Sequence, residues 1–99
     1  MVRINWTKQA VTDLQSIAEY ISKDSKFYAK REILKIRNAT TILKTFPLSG
    51  KIITEISKPD FREIIQGNYR MIYKIVSKQR IDIITIHHAA QSLPKRKDI

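Results

Sequence analysis

The sequence predicts an α+β fold in which an N-terminal helical hairpin packs on a twisted antiparallel β-sheet. Two stretches with apolar residues at helical spacing come first, and runs with the composition and alternation of strands follow them. Helices that precede a series of hairpin-linked strands are typical of this class, because the helix pair covers one face of the sheet. A length of 99 residues fits a single domain over 1–99.

The first half of the chain contains one short strand and the two helices. Residues 2–6 alternate apolar and polar side chains and predict a strand that can join the sheet. Thr7 is a suitable N-cap for the first helix, and residues 22–25 interrupt the helical pattern. The second helix is expected from about residue 26 to about residue 45, antiparallel to the first. The apolar stripe of the first helix comprises Ala10, Val11, Leu14, Ile17, Ala18 and Ile21.

The second half predicts strands separated by turns. A loop at 46–50 contains Pro47 and Gly50, and strands are expected over 51–56 and 81–87. Between them, Gly67-Asn68 joins two Ile- and Tyr-rich runs into a hairpin over 61–76. The last strand is β-branched and almost continuously apolar, which predicts a central position in the sheet.

The chain is strongly basic, with 19 Lys and Arg against 9 Asp and Glu and a net charge of +10. The charge is even: residues 1–50 carry 9 basic and 4 acidic groups, and residues 51–99 carry 10 and 5. Such a domain attracts acidic partners such as nucleic acid or an acidic protein. The sequence has no cysteine, no apolar run of membrane-spanning length and no signal-peptide layout, so we expect a cytoplasmic protein without a membrane partner.

A basic stripe follows the second helix. At 100° per residue its members fall within a narrow arc. They are Lys26, Lys30, Arg37 and Lys44. The stripe is interpreted either as a solvated face that keeps the protein soluble or as a ridge that binds the phosphates of a substrate, and the two interpretations are compatible.

The hairpin carries two arginines within apolar strands. Arg62 and Arg70 need water, an anion or a carboxylate partner, since an unpaired buried charge is costly. Each is interpreted either as a structural residue paired with a carboxylate such as Glu63 or as a phosphate ligand. Whether the two arginines share a face of the sheet depends on the hairpin register, which the sequence leaves open.

His87 and His88 end the last strand, so their side chains are expected to point to opposite sides. Only one can therefore share a site with the arginines, and a metal site is not expected. A histidine there is interpreted either as a hydrogen-bonded structural residue or as a general acid or base. Arginine and histidine side chains are the groups needed to cleave RNA through its 2′-hydroxyl, and this reaction needs no metal or other cofactor. Motifs of other enzyme classes are absent from the sequence.

The chain resembles the RelE/ParE family of toxins from bacterial type II toxin–antitoxin modules over essentially its whole length. The stretches that carry the resemblance are Ile4-Asn5-Trp6, Ala10-Val11-x-Asp13-Leu14-x-x-Ile17-x-x-Tyr20-Ile21, Pro47-Leu48-Ser49-Gly50, Arg62-Glu63-Ile64, Tyr69-Arg70-Met71-Ile72-Tyr73 and Ile84-Thr85-Ile86-His87-His88-Ala89-Ala90. The resemblance implies the helical hairpin and sheet described above. It also implies a cognate antitoxin encoded alongside, and an acidic one would suit the charge of +10.

The resemblance implies one of two activities. RelE-like members cleave mRNA on the ribosome without metal, and ParE-like members poison DNA gyrase. For the first, which is the leading hypothesis, the resemblance assigns Arg70 and Arg62 to the scissile phosphate and His88 to proton transfer. Glu63 is a weaker candidate for the base. Three positions depart from the RelE-like pattern and weaken this assignment: Ile64, Ala89 and Gln91. The alternative is a gyrase inhibitor without catalytic activity, which would bind through its helices and basic surface.

Overall fold

The structure, a computed structural model, describes residues 1–89. Gln91, one of the positions that depart from the RelE-like pattern, lies outside the described residues. The elements in chain order are β1 (Arg3–Trp6), α1 (Lys8–Ser22), α2 (Lys26–Ala39), a 3₁₀ helix (Thr40–Lys44), β2 (Lys51–Ile52), β3 (Phe61–Gln66), β4 (Tyr69–Ser77) and β5 (Arg80–His88). The predicted α+β fold with its N-terminal helical hairpin is confirmed. Within residues 1–89, no helix is long and apolar enough to cross a membrane.

The sheet has five strands in the order β1-β5-β4-β3-β2. Three of its neighbouring pairs are antiparallel, but β1 lies parallel to β5, so the sheet is mixed rather than wholly antiparallel. The parallel pairing is possible because a long connection, which includes the helical hairpin, separates β1 from the rest of the sheet. β5 thus has a neighbour on each side, as its apolar composition predicted.

Both helices begin at side-chain caps. The Thr7 hydroxyl accepts a hydrogen bond from the Ala10 amide at 3.2 Å, and the Ser25 hydroxyl accepts one from the Tyr28 amide at 3.0 Å. The single helix expected over 26–45 is α-helical only to Ala39 and then tightens into the 3₁₀ helix. The Thr40 hydroxyl donates to the Arg37 carbonyl at 2.7 Å, a local bond that competes with regular helix geometry.

The core lies mainly between the helices and one face of the sheet, which we name the helix face. Its buried side chains are Ala10, Leu14, Ile36, Leu43, Met71, Tyr73, Ile81, Ile83 and Ile86. A smaller apolar cluster covers the other face, which we name the open face. That cluster consists of Ile53, Phe61, Ile72 and Ile84, with Ile56 packed beside it.

The prediction of a strand over 51–56 is correct for the first two residues and wrong for the rest. Only Lys51 and Ile52 pair with β3, and the chain then turns across the open face. The amides of Ile56 and Ser57 both donate to the Ile53 carbonyl, and Ser57 has a φ of 55°. The alternation of apolar residues in this segment therefore reflects burial of Ile53 and Ile56 against the open face, and not continuation of the strand.

Candidate functional site

Arg70 lies in β4 on the open face, where its guanidinium is bonded by two carboxylates. Its Nη1 and Nη2 donate to Glu55 at 3.1 and 3.2 Å, and its Nε donates to Glu63 at 2.9 Å. A further Nη2 bond also reaches Glu63. The hydrogen bond to Glu55 is the main cause that raises the pKa of Arg70 further, against the opposing effect of burial. With 8% of its surface exposed, Arg70 sits in a cluster of one positive and two negative charges.

Arg62 lies in β3 and points to the helix face. In the β3–β4 register Arg62 is opposite Tyr73, whereas Arg70 is opposite Ile65. Because successive residues of β3 point to opposite faces, the two arginines lie on opposite sides of the sheet. The Arg62 Nη1 donates to the carbonyls of Leu48 and Gly50 at 3.2 and 3.0 Å. Both arginines therefore have partners within the protein.

The two histidines, like the two arginines, belong to opposite faces of the sheet. His87 is opposite Arg70 in the β4–β5 register, and His88 is opposite Tyr69. The His88 ring meets the Tyr69 ring edge-on at a centroid distance of 5.8 Å. Directly opposed residues share a face, so it is His87, and not the predicted His88, that accompanies Arg70.

The predicted grouping of Arg62, Arg70 and His88 at one site is therefore not found. Arg62 and His88 share the helix face, but their partners Tyr73 and Tyr69 are four residues apart on β4, about 13 Å along the strand. Arg70 is on the other face. A single phosphate cannot contact all three side chains in this arrangement.

A groove of about 540 Å³ lies between α1 and the β4–β5 end of the sheet. Its lining includes Asp13, Tyr69 and both histidines, His87 and His88. Asp13 accepts hydrogen bonds from the Ile86 amide at 3.0 Å and from the Thr85 hydroxyl, and thereby covers the part of β5 that extends beyond β1. Burial, followed by the nearby Glu32 charge, raises the pKa of Tyr69.

The basic stripe of the second helix is exposed at every position. Its residues are Lys26, Lys30, Arg37 and Lys44. Two of them, Lys26 and Lys30, border a shallow apolar groove of about 430 Å³ between α1 and α2. The Arg37 guanidinium lies 5.4 Å from the centre of the Trp6 ring. This exposure is compatible with both interpretations of the stripe.

Sequence reasoning offered Glu63 as a partner of the arginines but missed Glu55 and the loop carbonyls. Glu55 falls in the segment predicted as a strand, and no local pattern indicates that it reaches Arg70. The choice of His87 over His88 needed the strand register. Sequence reasoning also missed that the loop at 46–50 is tied to the buried Tyr73, although Gly50 was a usable signal. A Cβ at Gly50 would lie 2.5 Å from the Tyr73 hydroxyl and 2.7 Å from the Glu63 carbonyl, so only glycine fits.

Comparisons with known proteins cover nearly the whole chain. The family described as "ParE toxin of type II toxin-antitoxin system, parDE" matches residues 4–93. Toxin RelE2 of Caulobacter vibrioides is 30% identical over 91 residues, which span 92% of this chain and 99% of that protein. Y4kP of Sinorhizobium fredii is 31% identical over 93 residues, which span 94% of each chain.

The fold has a solved relative. A chain from the chromosomal ParDE toxin–antitoxin system of P. aeruginosa superimposes with a TM-score of 0.72 and 18% identity, over 89% of this chain and 96% of that one. At this identity the likeness concerns the fold. The family match and the sequence relatives extend over more than nine-tenths of the chain, and on that basis the protein belongs to the RelE/ParE family of type II toxin–antitoxin toxins.

Proposed function

We propose that this toxin acts by binding a protein target, DNA gyrase, and not by cleaving RNA. The observation that carries the proposal is the pairing of Arg70 with Glu55 and Glu63. The cluster has a formal charge of −1, and a phosphate would have to displace two carboxylates from a buried guanidinium. Breaking a buried pair in this way costs about 3–5 kcal/mol.

The choice of gyrase depends on the family. The matching family is that of ParE toxins, and the solved relative belongs to a ParDE system. Gyrase poisoning is the activity that the resemblance implies for ParE-like members. The exposed surface of α2 suits a protein interface, because its Phe27 and Leu34 are 73% and 50% exposed beside the basic stripe. Aromatic side chains and arginine are enriched at such interfaces.

The same assignment implies a cognate antitoxin. We propose that it is acidic, since complementary charge accelerates association with a chain of net charge +10. An acidic segment would also lower the repulsion among the exposed lysines and arginines of α2.

A metal-independent, ribosome-dependent mRNA endonuclease is the second candidate. One observation favours it: Glu63 is hydrogen-bonded to Arg70, and His87 is opposite Arg70 in the strand register, so a carboxylate, a guanidinium and an imidazole come from neighbouring positions of the sheet. RelE2, one of the relatives, carries the name of the RNase branch. In this mechanism His87 would replace His88 as the proton-transfer residue, and Arg70 would need to be released from Glu55.

The experiment that separates the two candidates is a brief induction of the toxin in bacterial cells, with transcript integrity and DNA damage scored in the same culture. Intact transcripts, an SOS response and filamentation are expected for a gyrase poison. Transcripts cut on the ribosome with undamaged DNA would reject the proposal and establish the endonuclease.

Two single substitutions sharpen this experiment. His87→Ala and His88→Ala are expected to leave growth arrest unchanged if the toxin acts only by binding through α2 and its surroundings. Loss of arrest in His87→Ala alone would identify His87, which is opposite Arg70, as the catalytic histidine. Loss in His88→Ala alone would point instead to His88, which contacts Tyr69. Thermal unfolding of each purified variant controls for folding.

A further inference from the structure

The loop that joins the 3₁₀ helix to β2 is fixed by two strand residues, the buried Tyr73 and the half-buried Arg62. The Tyr73 hydroxyl donates to the Pro47 carbonyl at 2.7 Å and accepts from the Gly50 amide at 3.0 Å. From the neighbouring strand, Arg62 donates to the carbonyls of Leu48 and Gly50. Four hydrogen bonds thus determine the path of a short loop, which we name the clamped loop (46–50).

Fixing this loop has an energetic cost within the protein. Tyr73 is fully buried, and the Nε of Arg62 is buried without an acceptor among residues 1–89. A buried polar atom without a partner is unfavourable by about 1–3 kcal/mol. Burial also raises the pKa of Tyr73, so its hydroxyl remains a proton donor at neutral pH.

The clamped loop holds two large apolar side chains in solvent. Phe46 is 60% exposed and Leu48 is 64% exposed, although each is adjacent to a backbone group that the clamp holds. Ile42, which is 50% exposed, lies one turn before Phe46, and the Phe46 amide donates to its carbonyl at 2.8 Å. An ordinary surface loop has no need of hydrogen bonds from a buried tyrosine and a half-buried arginine to present apolar groups to water.

We infer that the clamped loop is a preorganised docking element, and that Phe46 and Leu48 enter an apolar pocket on the folded protein target of the toxin. The inference depends on the proposed function, because it assumes a protein target. Lys44 and Lys51 are exposed on the two sides of the loop, so the pocket is expected to be edged by carboxylates. A loop already ordered before binding loses little conformational entropy in the complex.

A folded target fits this element better than a disordered partner segment does. Disordered segments bind by laying their own apolar residues into grooves of a folded surface. Here Phe46 and Leu48 are more than half exposed on an ordered loop, and the depression of about 420 Å³ that they border is open to solvent. The proposal therefore places the enclosing pocket on the partner. Apolar anchors that fill such a pocket at the centre of an interface carry a large share of its affinity.

The test compares four variants of the full-length toxin by growth inhibition and by binding to purified gyrase holoenzyme. Phe46→Ser and Leu48→Ser remove the anchors. Tyr73→Phe keeps both anchors but removes the hydroxyl of the clamp. Val76→Ser is the matched control, since Val76 is 43% exposed on β4 away from the loop. Thermal unfolding of each variant verifies that it is folded.

We expect each anchor variant to weaken growth inhibition and gyrase binding by about tenfold or more. Tyr73→Phe is expected to weaken them by a smaller factor, because the anchors remain but have to be ordered on binding. Val76→Ser is expected to stay within about twofold of the wild type, as neutral contacts do.

Two outcomes separate this inference from the proposed function. Folded anchor variants that inhibit growth as strongly as the wild type would overturn the docking role, whether or not gyrase is the target. Wild type that arrests growth but does not bind gyrase, with arrest lost in the anchor variants, would reject gyrase and support the loop as the docking element for another protein. Wild type that leaves growth unaffected would overturn both.

Discussion

Arg62 and Arg70 are two arginines on neighbouring strands of the same hairpin, yet they do different work. Arg70 faces the open side and is neutralised by the carboxylates of Glu55 and Glu63. Arg62 faces the helix side, and its guanidinium donates to two uncharged backbone carbonyls of the clamped loop. One arginine attaches a turn to the sheet through charge, and the other attaches a loop through hydrogen bonds.

This comparison shows why the role of an arginine is difficult to predict from sequence. An arginine in an apolar strand is conspicuous in a sequence whether it binds a substrate or a neighbouring loop. The distinction depends on which groups the fold brings to the guanidinium. In this chain the partners of Arg62 come from the loop before β2, and those of Arg70 come from the turn after β2 and from β3. The two arginines also differ in what their removal would leave behind.

The largest effect is expected from Arg70→Ala. It leaves two carboxylates side by side without a cation, and Glu63 is well buried, with 12% of its side chain exposed. We expect a loss of about 3 kcal/mol in the free energy of unfolding, measured by urea titration, at the lower end for buried pairs because Glu55 is partly exposed. The companion variant Arg70→Met/Glu55→Gln/Glu63→Leu removes the charges together and should recover most of that loss. An Arg70→Ala protein as stable as the wild type would contradict a structural role for the cluster.

Arg62→Met should have the next largest effect. It removes two hydrogen bonds from a charged donor but leaves no opposite charge unpaired, so we expect a loss of about 2 kcal/mol in the free energy of unfolding. Amide hydrogen exchange of the clamped loop should accelerate in this variant and stay unchanged in the Arg70 triple variant. Equal acceleration in both would show that the two arginines do not serve separate loops.

Tyr73→Phe tests the other half of the clamp, with an expected loss of about 1 kcal/mol at neutral pH. Burial raises the pKa of Tyr73 in the folded state above its unfolded value of about 10. Its contribution is therefore complete below that pH and is lost as the pH rises through the folded pKa. Urea titrations between about pH 9 and about pH 11, roughly one unit either side of the ordinary tyrosine pKa, should show a shallower decline for Tyr73→Phe than for the wild type. Parallel curves would refute this assignment.

The smallest effect is expected at the half-buried pair of Arg80 and Asp82, in which the arginine side chain is 41% exposed, against 10% for Arg70. Arg80 Nε donates to Asp82 at 2.8 Å, and this hydrogen bond is the main cause that lowers the pKa of Asp82. The stability it provides is present above the unfolded pKa of about 3.9 and is lost as the pH falls through the folded pKa. Asp82→Asn should change stability less than any variant above and flatten the acid limb of the stability curve. A loss as large as that of Arg62→Met would contradict the ranking.

The parts of the fold that were predicted correctly are local. Thr7 as a cap and Gly67-Asn68 as a turn depend on near neighbours in the chain, and Gly67 has the expected positive φ of 59°. The parallel pairing of β1 with β5 was not predictable, since it joins residues more than 70 positions apart. Residues 53–56 were misassigned because an alternating apolar pattern is satisfied equally by a strand or by a turn packed on a sheet.

The candidate site was less predictable than the fold for the same reason. The sequence indicated that Arg62 and Arg70 require partners, and it offered Glu63 as one of them. It could not indicate Glu55, because Glu55 belongs to the segment 53–56, which was predicted as a strand but turns across the open face. The face of each histidine depended on the β4–β5 register, which places His87 opposite Arg70.

We propose that Arg70 stabilises the fold and does not bind substrate. The most direct test is growth inhibition by the triple variant Arg70→Met/Glu55→Gln/Glu63→Leu, compared with wild-type toxin at equal expression and with folding verified by thermal unfolding. If Arg70 has only a structural role, growth arrest by the triple variant should be within about twofold of the wild type, because replacing a complete buried ion cluster with packed side chains is often neutral for the fold. A folded triple variant that no longer arrests growth would contradict this proposal and support a role for Arg70 in an active site.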